Sequence, residues 1–204
     1  MSDKPFAPAT ERNQQAILGV IKEEFRDLDS ILEIGSGTGQ HAVFFGAELG
    51  HLTWQTSDVA ENHPGIHAWL GDAALSNVLG PLALDVLTVE PSPMRFDAVF
   101  SANTAHIMSA VAVEKMFGLV SSVLNEHGIF VLYGSFRQNG EFNTKSNADF
   151  HESLRQRDPS MGIRNLEDLD RLAGDGDMRR VRLYALPANN HIVVWARVRT
   201  GAKK

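Results

Sequence analysis

Apolar positions follow two different spacings along most of the chain, and the two spacings alternate. Short apolar runs that end at glycine or an acidic residue predict buried strands, whereas apolar residues at helical spacing predict helices. The predicted strands are 30–34, 52–56, 82–84, 96–100 and 129–133. The predicted helices are 10–25, with Thr10 as its N-cap, 42–50, 66–75 and 111–124. Residues up to Pro8 are expected to form a tail, and residues 125–128 a turn. This alternation predicts a parallel sheet covered by helices on both faces, because each crossover returns a helix across the sheet.

The last third of the chain departs from this alternation. Residues 138–144 are polar and contain glycine, which predicts a loop, and Ser146 begins a capping-box pattern for a helix that reaches about Gln156. A further short helix is predicted at 165–173. The final strands, 182–186 and 192–198, are joined by a connection too short for a parallel crossover. The sheet should therefore end in an antiparallel pair, and the polar insertion at 138–165 suits a lid or a substrate-selecting element.

Composition narrows the class of protein. A chain of 204 residues, 43% hydrophobic and 22% charged, fits one folded globular domain over 1–204. The net charge of −6 and the lack of a concentrated basic surface argue against a nucleic-acid partner. No cysteine is present, which excludes disulfides, zinc knuckles and thiol nucleophiles. Without a secretion signal or an apolar stretch of ~18 residues, we expect no membrane span and a cytoplasmic location.

The strongest local signal is the glycine-rich segment from Glu33 to Gln40, which lies between the first predicted strand and the next helix. Such a turn lets backbone approach a ligand closely, and it predicts a nucleotide or nucleoside site. Gln40 stands where the dinucleotide fingerprint needs a small residue, which counts against a nicotinamide dehydrogenase. The segment also lacks the Gly-Lys-Ser/Thr ending of a Walker loop.

Acidic residues lie at the ends of the first three predicted strands. Asp58 can accept both hydroxyls of a ribose, Glu33 adds negative potential beside a sulfonium or ammonium, and Asp85 is placed to accept from an adenine amine. Each has a structural alternative: a buried acid bonded to loop amides for Glu33, a helix N-cap for Asp58 and a turn for Asp85. Asp72 competes weakly with Asp85, which directly follows the apolar strand.

These residues resemble the class I S-adenosylmethionine-dependent methyltransferases. More narrowly, several segments look like the methyltransferase-like protein twenty-six family. They are 11–13, 35–41, 54–58, 82–86, 96–103 and 187–190. The resemblance implies a Rossmann-like α/β sandwich with a mostly parallel seven-stranded sheet and an antiparallel last strand. It also implies S-adenosylmethionine as cofactor. It supplies no substrate.

The candidate cofactor contacts combine the resemblance with the reasoning from the residues. They are Arg12, Asn13, Glu33, Gly35, Ser36, Gly37, Asp58, Asp85 and Ser101. Arg12 could pair with the methionyl carboxylate, the alternative being an exposed arginine in the first turn of its helix.

Catalysis is expected where the fourth predicted strand ends, at residues 101–106. His106 is the candidate general base, with Asn103 as a second candidate, whereas the structural alternative is a histidine packed on the following helix. The segment lacks the Asn/Asp-Pro-Pro-aromatic tetrad of nucleic-acid amino methyltransferases, which again argues against nucleic acid. Tyr133, Ser135 and Arg137 follow the fifth strand and could face the substrate, while Asn190 suits an Asx turn.

No metal site is predicted, because Pro64-Gly65 should break helical geometry between His63 and His67 and no third ligand accompanies them. The favoured hypothesis is a methyltransferase that acts on a small molecule. The alternatives are an inactive S-adenosylmethionine-binding or protein-interaction module, and an enzyme that uses this cofactor for other chemistry. The oligomeric state stays open.

Overall fold

A computed structural model describes residues 4–89 and 93–198 of the chain. The predicted N-terminal tail falls partly on residues 1–3, outside the described residues. The helices are α1 (Pro8–Glu24), α2 (Gln40–Glu48), α3 (His63–Ala73), α4 (Ala110–Val123), α5 (Lys145–Arg157) and α6 (Leu166–Asp175). The strands are β1 (Ser30–Glu33), β2 (Thr53–Asp58), β3 (Val78–Ala83), β4 (Phe96–Ala102), β5 (Leu124–Gly134), β6 (Phe136–Arg137), β7 (Arg164–Asn165), β8 (Met178–Leu186) and β9 (Asn190–Arg197). A short 3-10 helix, Ala60–Asn62, precedes α3.

Seven strands form one sheet in the order β3-β2-β1-β4-β5-β9-β8. The pairs among β1 to β5 are parallel, and β9 runs antiparallel to both of its neighbours. The predicted Rossmann-like α/β architecture is therefore confirmed, including the antiparallel end of the sheet. The strand order reverses between β1 and β4, so a crevice opens where the carboxyl ends of these strands meet.

Two hydrophobic clusters cover the two faces of the sheet and hold it rigid beneath this crevice. Successive residues of β1 belong to different clusters, Ile31 to one and Leu32 to the other, as the alternation of side chains along a strand requires. Helices α1 and α2 cover one face, where Phe45, Trp54 and Phe100 pack with ring centroids 5.6 Å apart. Helices α4 and α6 cover the other face.

Three predicted helix starts need correction. Helix α1 begins at Pro8, and Thr10 is not its N-cap; proline is well suited to the first turn, where its missing N–H has no helical partner. The N-cap of α5 is Thr144, whose hydroxyl accepts from the Asn147 N–H at 3.2 Å, so the capping-box prediction at Ser146 began two residues late. Helix α3 begins at His63 and contains Pro64-Gly65, which therefore does not break it.

Strands β3, β5 and β8 each begin at least four residues before their predicted starts. Strand β3 begins at Val78 and includes Gly80-Pro81, because it lies at the edge of the sheet, where a proline is tolerated. Strand β5 begins at Leu124 and includes residues 125–128, which were expected to form a turn.

The insertion at 138–165 folds back onto the carboxyl end of the sheet. It contains α5 and β7, which pairs in parallel with the two-residue strand β6. The N–H of Gly162 donates to the carbonyl oxygen of His106 at 2.9 Å, so the insertion contacts the segment that follows β4. Its role as a lid stays a prediction. No helix within the described residues is long and apolar enough to cross a membrane.

Candidate functional site

A cavity of about 620 Å³ opens at the carboxyl ends of β1, β2 and β4. We call it the glycine-loop cavity, and its wall includes Gly35, Ser36, Gly37, His41, Asp58 and Asn103. Residues at the ends of three separate strands are thus brought to one edge of the sheet. The volume falls within the range of about 300–1,000 Å³ that is typical of small-molecule sites.

Glycine is required at two positions of the loop. Gly35 has φ +75°, and a Cβ there would lie 2.6 Å from Cγ2 of Thr104. Gly37 has φ +58°, and a Cβ there would meet only open space. Left-handed backbone is costly for residues other than glycine. The loop therefore turns sharply above the sheet and leaves backbone of Gly37 accessible to a ligand.

Asp58 holds the loop through its carboxylate, which is almost fully buried. Oδ2 accepts from the N–H of Gly37 at 2.7 Å, while Oδ1 accepts from the N–H of Val59 at 2.7 Å and from the side-chain amide of Asn62 at 2.8 Å. These bonds use three of the roughly four acceptor positions of a carboxylate. Capture of two ribose hydroxyls would require one donor to leave, and the Asn62 side chain is the one that can rotate.

Glu33 lies beneath the loop and does not line the cavity. Its carboxylate accepts from the Ser36 hydroxyl at 2.8 Å and from the Trp54 indole N–H at 3.1 Å. Burial raises the pKa of Glu33 to about 7, the two hydrogen bonds lower it, and the charge of Asp58 raises it. Ser36 does line the cavity, so Glu33 reaches that space through the Ser36 hydroxyl and through its electrostatic potential.

A second cavity, of about 790 Å³, meets the first at Ala9 and Asn103. We call it the distal cavity. Its wall includes Arg12, Asn13, Asn103, His106, Tyr133 and Asn190. The predicted catalytic candidates His106 and Asn103 therefore lie on one surface, together with residues from α1 and from the β8–β9 turn.

Asn103 joins the two cavities in a left-handed conformation, with φ +61°. Its N–H donates to the carbonyl oxygen of Tyr133 at 3.0 Å. Left-handed backbone at a residue other than glycine is uncommon, and such strain is often found at functional sites. The turn at Asn103 places this residue between the two spaces.

His106 is buried, with 8% of its surface exposed, and packs edge-on against Phe150 at a centroid distance of 5.2 Å. Burial, with smaller contributions from the charges of Arg164 and Arg157, lowers the pKa of His106 to about 4. The imidazole is therefore neutral near pH 7 and has a nitrogen lone pair with which to accept a proton.

Asn13 and His41 connect the walls of the two cavities. Nε2 of His41 lies 2.8 Å from Oδ1 of Asn13, and the His41 ring stacks on Phe45. Burial lowers the pKa of His41 to about 4, so its neutral ring donates from Nε2 to Asn13. Tyr133 also forms a side-chain hydrogen bond with Asn13. Arg12, one residue earlier, is exposed on the wall of the distal cavity.

Besides Glu33, two further predicted cofactor contacts line neither cavity. Asp85 is exposed, and its carboxylate accepts from the N–H of Leu87 at 2.9 Å, which fits the alternative of a turn. Ser101 is fully buried; its hydroxyl donates to the carbonyl oxygen of Ile34 at 2.7 Å and lies 2.7 Å from the Thr104 hydroxyl. In this structure Ser101 joins β4 to β1 below the cavity. Contacts from either residue to a cofactor stay predictions.

The other residues that the sequence analysis considered have structural contacts of their own. Asp72 is an exposed partner of Lys4, with their charged atoms 2.7 Å apart. The rings of His63 and His67 are 6.4 Å apart, and the described residues contain no group of three or more His, Cys, Asp or Glu that could hold a metal ion. Asn190 forms part of the β8–β9 turn, yet it also lines the distal cavity and accepts from the Ser135 hydroxyl at 2.6 Å.

Sequence reasoning missed two contributions to the site. His41 lines the glycine-loop cavity, and its place directly after the glycine segment was the available signal. The segment 4–7 was expected to be a tail, but it lies over α3 and the cavity. The Ala7 N–H donates to Oε1 of Gln40 at 2.5 Å, and the Trp69 indole N–H donates to the Pro5 carbonyl at 2.7 Å. No local pattern indicates either contact.

Three solved structures that share the fold of this chain have titles that name a methyltransferase. One is an O-methyltransferase family protein from Burkholderia thailandensis, with a TM-score of 0.82 and 13% identity over 95% of this chain and 58% of that chain. Another is the mitomycin 7-O-methyltransferase, with a TM-score of 0.81 and 12% identity over 93% of this chain and 54% of that chain. A third, an S-adenosylmethionine-dependent methyltransferase in its apo form, has a TM-score of 0.78 and 16% identity over 94% and 56%.

These likenesses show the fold that the chain shares with the three proteins. The chain spans little more than half of their length. A family model covers nearly all of the chain, residues 4–197, and its description is "Protein of unknown function (DUF938)". The chain therefore belongs to the DUF938 family.

Proposed function

We propose that this protein is an S-adenosylmethionine-dependent methyltransferase that transfers a methyl group to a small-molecule acceptor. The observation that carries the proposal is the junction at Asn103, where the glycine-loop cavity meets the distal cavity. A transfer between two bound molecules needs adjoining sites that hold the reacting atoms close together. The methyltransferase titles of proteins with the same fold support this choice of chemistry.

The residues of the glycine-loop cavity suit this cofactor. Gly37 leaves open space beside its backbone, and Asp58 retains acceptor capacity for a ribose hydroxyl. Ser36 provides a polar wall, and its hydroxyl donates to Glu33 beneath the loop, whose carboxylate adds negative potential for a cationic ligand. Arg12 lies near the junction, on the distal wall, where it suits a carboxylate. When bound, S-adenosylmethionine supplies a methyl group on a positively charged sulfur.

The distal cavity suits a polar, largely uncharged acceptor. Many of its polar side chains are neutral hydrogen-bonding groups, among them Asn13, Tyr133, Ser135 and Asn190. His106 adds a neutral imidazole, which would accept the proton of an acceptor hydroxyl as that oxygen forms its bond to the methyl carbon. An oxygen acceptor also agrees with the O-methyltransferase titles among the neighbours. Asn103 would position the acceptor at the junction.

The competing proposal is a module that binds S-adenosylmethionine without turnover. His106 is neutral and buried on the wall of the distal cavity. This favours an enzyme, because binding of the cofactor alone requires neither this histidine nor a second cavity. The narrower likeness to the methyltransferase-like protein twenty-six family stays a prediction. So do the cytoplasmic location and the lack of a nucleic-acid partner.

Calorimetric titration of the purified protein with S-adenosylmethionine and S-adenosylhomocysteine tests the first step. We expect saturable binding that weakens by about ten-fold or more in Asp58→Ala, because a charge-assisted hydrogen bond to ribose is lost. Asp27→Ala removes an exposed carboxylate outside both cavities and is the matched control. Asp85→Ala decides whether Asp85 contacts the adenine. No binding to the folded wild type at millimolar ligand would overturn the proposal.

Turnover is then measured as S-adenosylhomocysteine released in the presence of small hydroxylated compounds. Release that depends on the compound, together with a matching methylated product, supports the enzyme. Tight binding of S-adenosylmethionine with no methylated product from any hydroxylated, amine or carboxylate acceptor supports the inactive module.

A further inference from the structure

A third cavity, of about 380 Å³, lies between α4, α5 and α6 on the far side of α5 from the distal cavity. Its wall includes Arg137, Arg155, Arg164 and Arg171, against the acidic residues Glu114 and Asp168. We call it the arginine cavity. It shares no lining residue with the two cavities described above. A cation-rich wall is notable in a chain whose net charge is −6.

The positive charges of this cavity lie close together. Burial lowers the pKa of the Arg164 guanidinium, and the charges of Arg137 and Arg155 lower it further. The same two charges act on His151, whose pKa is lowered mainly by burial. Nδ1 of His151 accepts from the N–H of Ile163 at 3.0 Å, so its ring is neutral in the wall and adds no further positive charge.

Arg137, Arg155 and Arg164 form no ion pair within residues 4–89 and 93–198, although other arginines do. Arg171 pairs with Asp175 at 3.7 Å, and Arg182 pairs with Glu24 at 2.5 Å. Like charges placed together raise the free energy of the folded protein unless an anion offsets them. The structure thus brings together three cations that no carboxylate of the described residues contacts directly, although Glu114 and Asp168 lie on the same wall.

Arg164 has a structural role that explains its position. Its guanidinium donates to the carbonyl oxygens of Ala105 and Ser160, at 2.9 and 3.0 Å, and also to that of Met108. These bonds join the insertion to the segment that carries His106. They do not account for Arg137 and Arg155, which approach Arg164 from β6 and α5.

The side chain of Arg137 is a further sign that this cavity suits an anion. Its Nε is buried and has no hydrogen-bond partner, while its guanidinium lies over the ring of Phe142 at 5.5 Å from the centroid. A buried donor without an acceptor is costly, and more so when it is charged. The Arg137 side chain also lines the cavity, so an anion bound there would offset its charge. Guanidinium groups pair with oxyanions through parallel hydrogen bonds, which favours a phosphate group over a halide ion.

We propose that the arginine cavity binds a small phosphate-class oxyanion, at a site separate from the methyl donor and acceptor. Arg137 and Arg155 provide its hydrogen bonds, and Arg164, fixed by backbone carbonyls, provides a third positive charge. This inference does not rest on the proposed function, because the cavity and its cations are independent of the glycine loop.

The test is calorimetric titration with inorganic phosphate in the absence of S-adenosylmethionine, at constant ionic strength set by chloride. We expect saturable binding by the wild type and a loss of about ten-fold or more in Arg137→Gln and in Arg155→Gln, since each removes a charge-assisted contact. Arg179→Gln is the matched control, because Arg179 is an exposed arginine on β8 outside the three cavities. Arg164→Gln is avoided, because its bonds to three carbonyls support the fold.

Thermal unfolding of each variant shows that it is folded before titration. Absence of saturable phosphate binding by the wild type would overturn the proposal. Equal weakening in Arg179→Gln would also overturn it, since the effect would then come from overall charge. A parallel titration with malonate separates phosphate from dicarboxylate, and tighter binding of malonate would replace the phosphate assignment.

Discussion

The side chains of Asn13 and His41 form a hydrogen bond of 2.8 Å that joins the walls of the glycine-loop and distal cavities. Asn13 comes from α1 and His41 from the first turn of α2. The bond therefore fixes the helix that borders the distal cavity to the helix that follows the glycine loop. Tyr133, at the end of β5, bonds to the same asparagine and extends the connection across the sheet.

We expect Asn13→Ala to lower the free energy of unfolding by about 1–2 kcal/mol, because it leaves a buried imidazole N–H without an acceptor. Urea denaturation measures this change. Gln15→Ala, at an exposed position of the same helix, is the control and should change stability far less. Equal losses in the two variants would mean that the Asn13–His41 bond adds nothing to stability.

Gly35→Ala should be destabilising for two separable reasons, the φ of +75° and the approach of the new Cβ to Cγ2 of Thr104 at 2.6 Å. Thr104→Ser removes that methyl group but keeps the hydroxyl that lies 2.7 Å from Ser101. In a double-mutant cycle, we expect Thr104→Ser to recover part of the loss and to leave about 1 kcal/mol of backbone strain. Strictly additive effects would show that the two side chains do not compete for space.

Much of the fold follows from local patterns, because burial on a sheet imposes them. Ile31 and Leu32 belong to an apolar run that only a strand buried on both faces explains, and the structure places them on opposite faces. Strand β3 shows the limit of this approach. Gly80-Pro81 has the local signature of a turn, and only the position of β3 at the sheet edge makes it compatible with a strand.

Part of the candidate site also follows from local patterns, whereas the rest depends on how distant segments pack. Gly35, Gly37 and Asp58 lie at ends of strands, so the topology of a parallel sheet was enough to place them together. The partners of Asn13 lie far away in sequence, and the bond to His41 depends on how α1 packs on α2. The arginine cavity depends on the packing of the insertion between α4 and α6, which no spacing of residues indicates.

The raised pKa of Glu33 predicts a specific dependence of stability on pH. Burial raises that pKa from 4.5 to about 7, so the folded protein holds the proton more tightly than the unfolded chain does. The stabilisation from this group is fully present below pH 4.5 and is lost as the pH rises to about 7. Glu33→Gln mimics the protonated form and should gain on the wild type by about 3 kcal/mol across this interval.

Urea denaturation of wild type and Glu33→Gln at several pH values measures the difference between the two curves. Glu48→Gln changes an exposed carboxylate of α2 and should follow the wild type throughout. Parallel curves for wild type and Glu33→Gln would show that the pKa of Glu33 is not raised in the folded protein.

If His106 is the general base, the pH profile of turnover should show no inflection near pH 6.5, the ordinary pKa of histidine. Because its pKa is lowered from 6.5 to about 4, the acidic limb of turnover should lie near 4. His106→Ala should lower turnover by about 100-fold or more and leave the affinity for S-adenosylmethionine unchanged, since His106 lines only the distal cavity. His127→Ala, at an exposed position of β5, is the control. Full turnover by His106→Ala, with an acceptor identified by the screen, would remove His106 from the mechanism.

The N-terminal segment 4–7 should behave as a cover that packing on α3 holds in place. Lys4 lies over the Trp69 ring at 3.9 Å, and Pro5 is so close to α3 that a Cβ on Gly65 would lie 2.7 Å from its Cγ. Gly65→Ala should therefore displace the segment. Gly71→Ala adds the same methyl group to the same helix in open space and is the matched control. Both variants gain helix propensity, worth up to about 1 kcal/mol, but only Gly65→Ala should break the bond from the Ala7 N–H to Gln40.

Hydrogen exchange at the Ala7 amide measures that bond directly. We expect the amide to be protected from exchange in the wild type and in Gly71→Ala, but to exchange rapidly in Gly65→Ala. Unchanged protection in Gly65→Ala would show that contacts other than the packing of Pro5 hold the segment over the glycine-loop cavity.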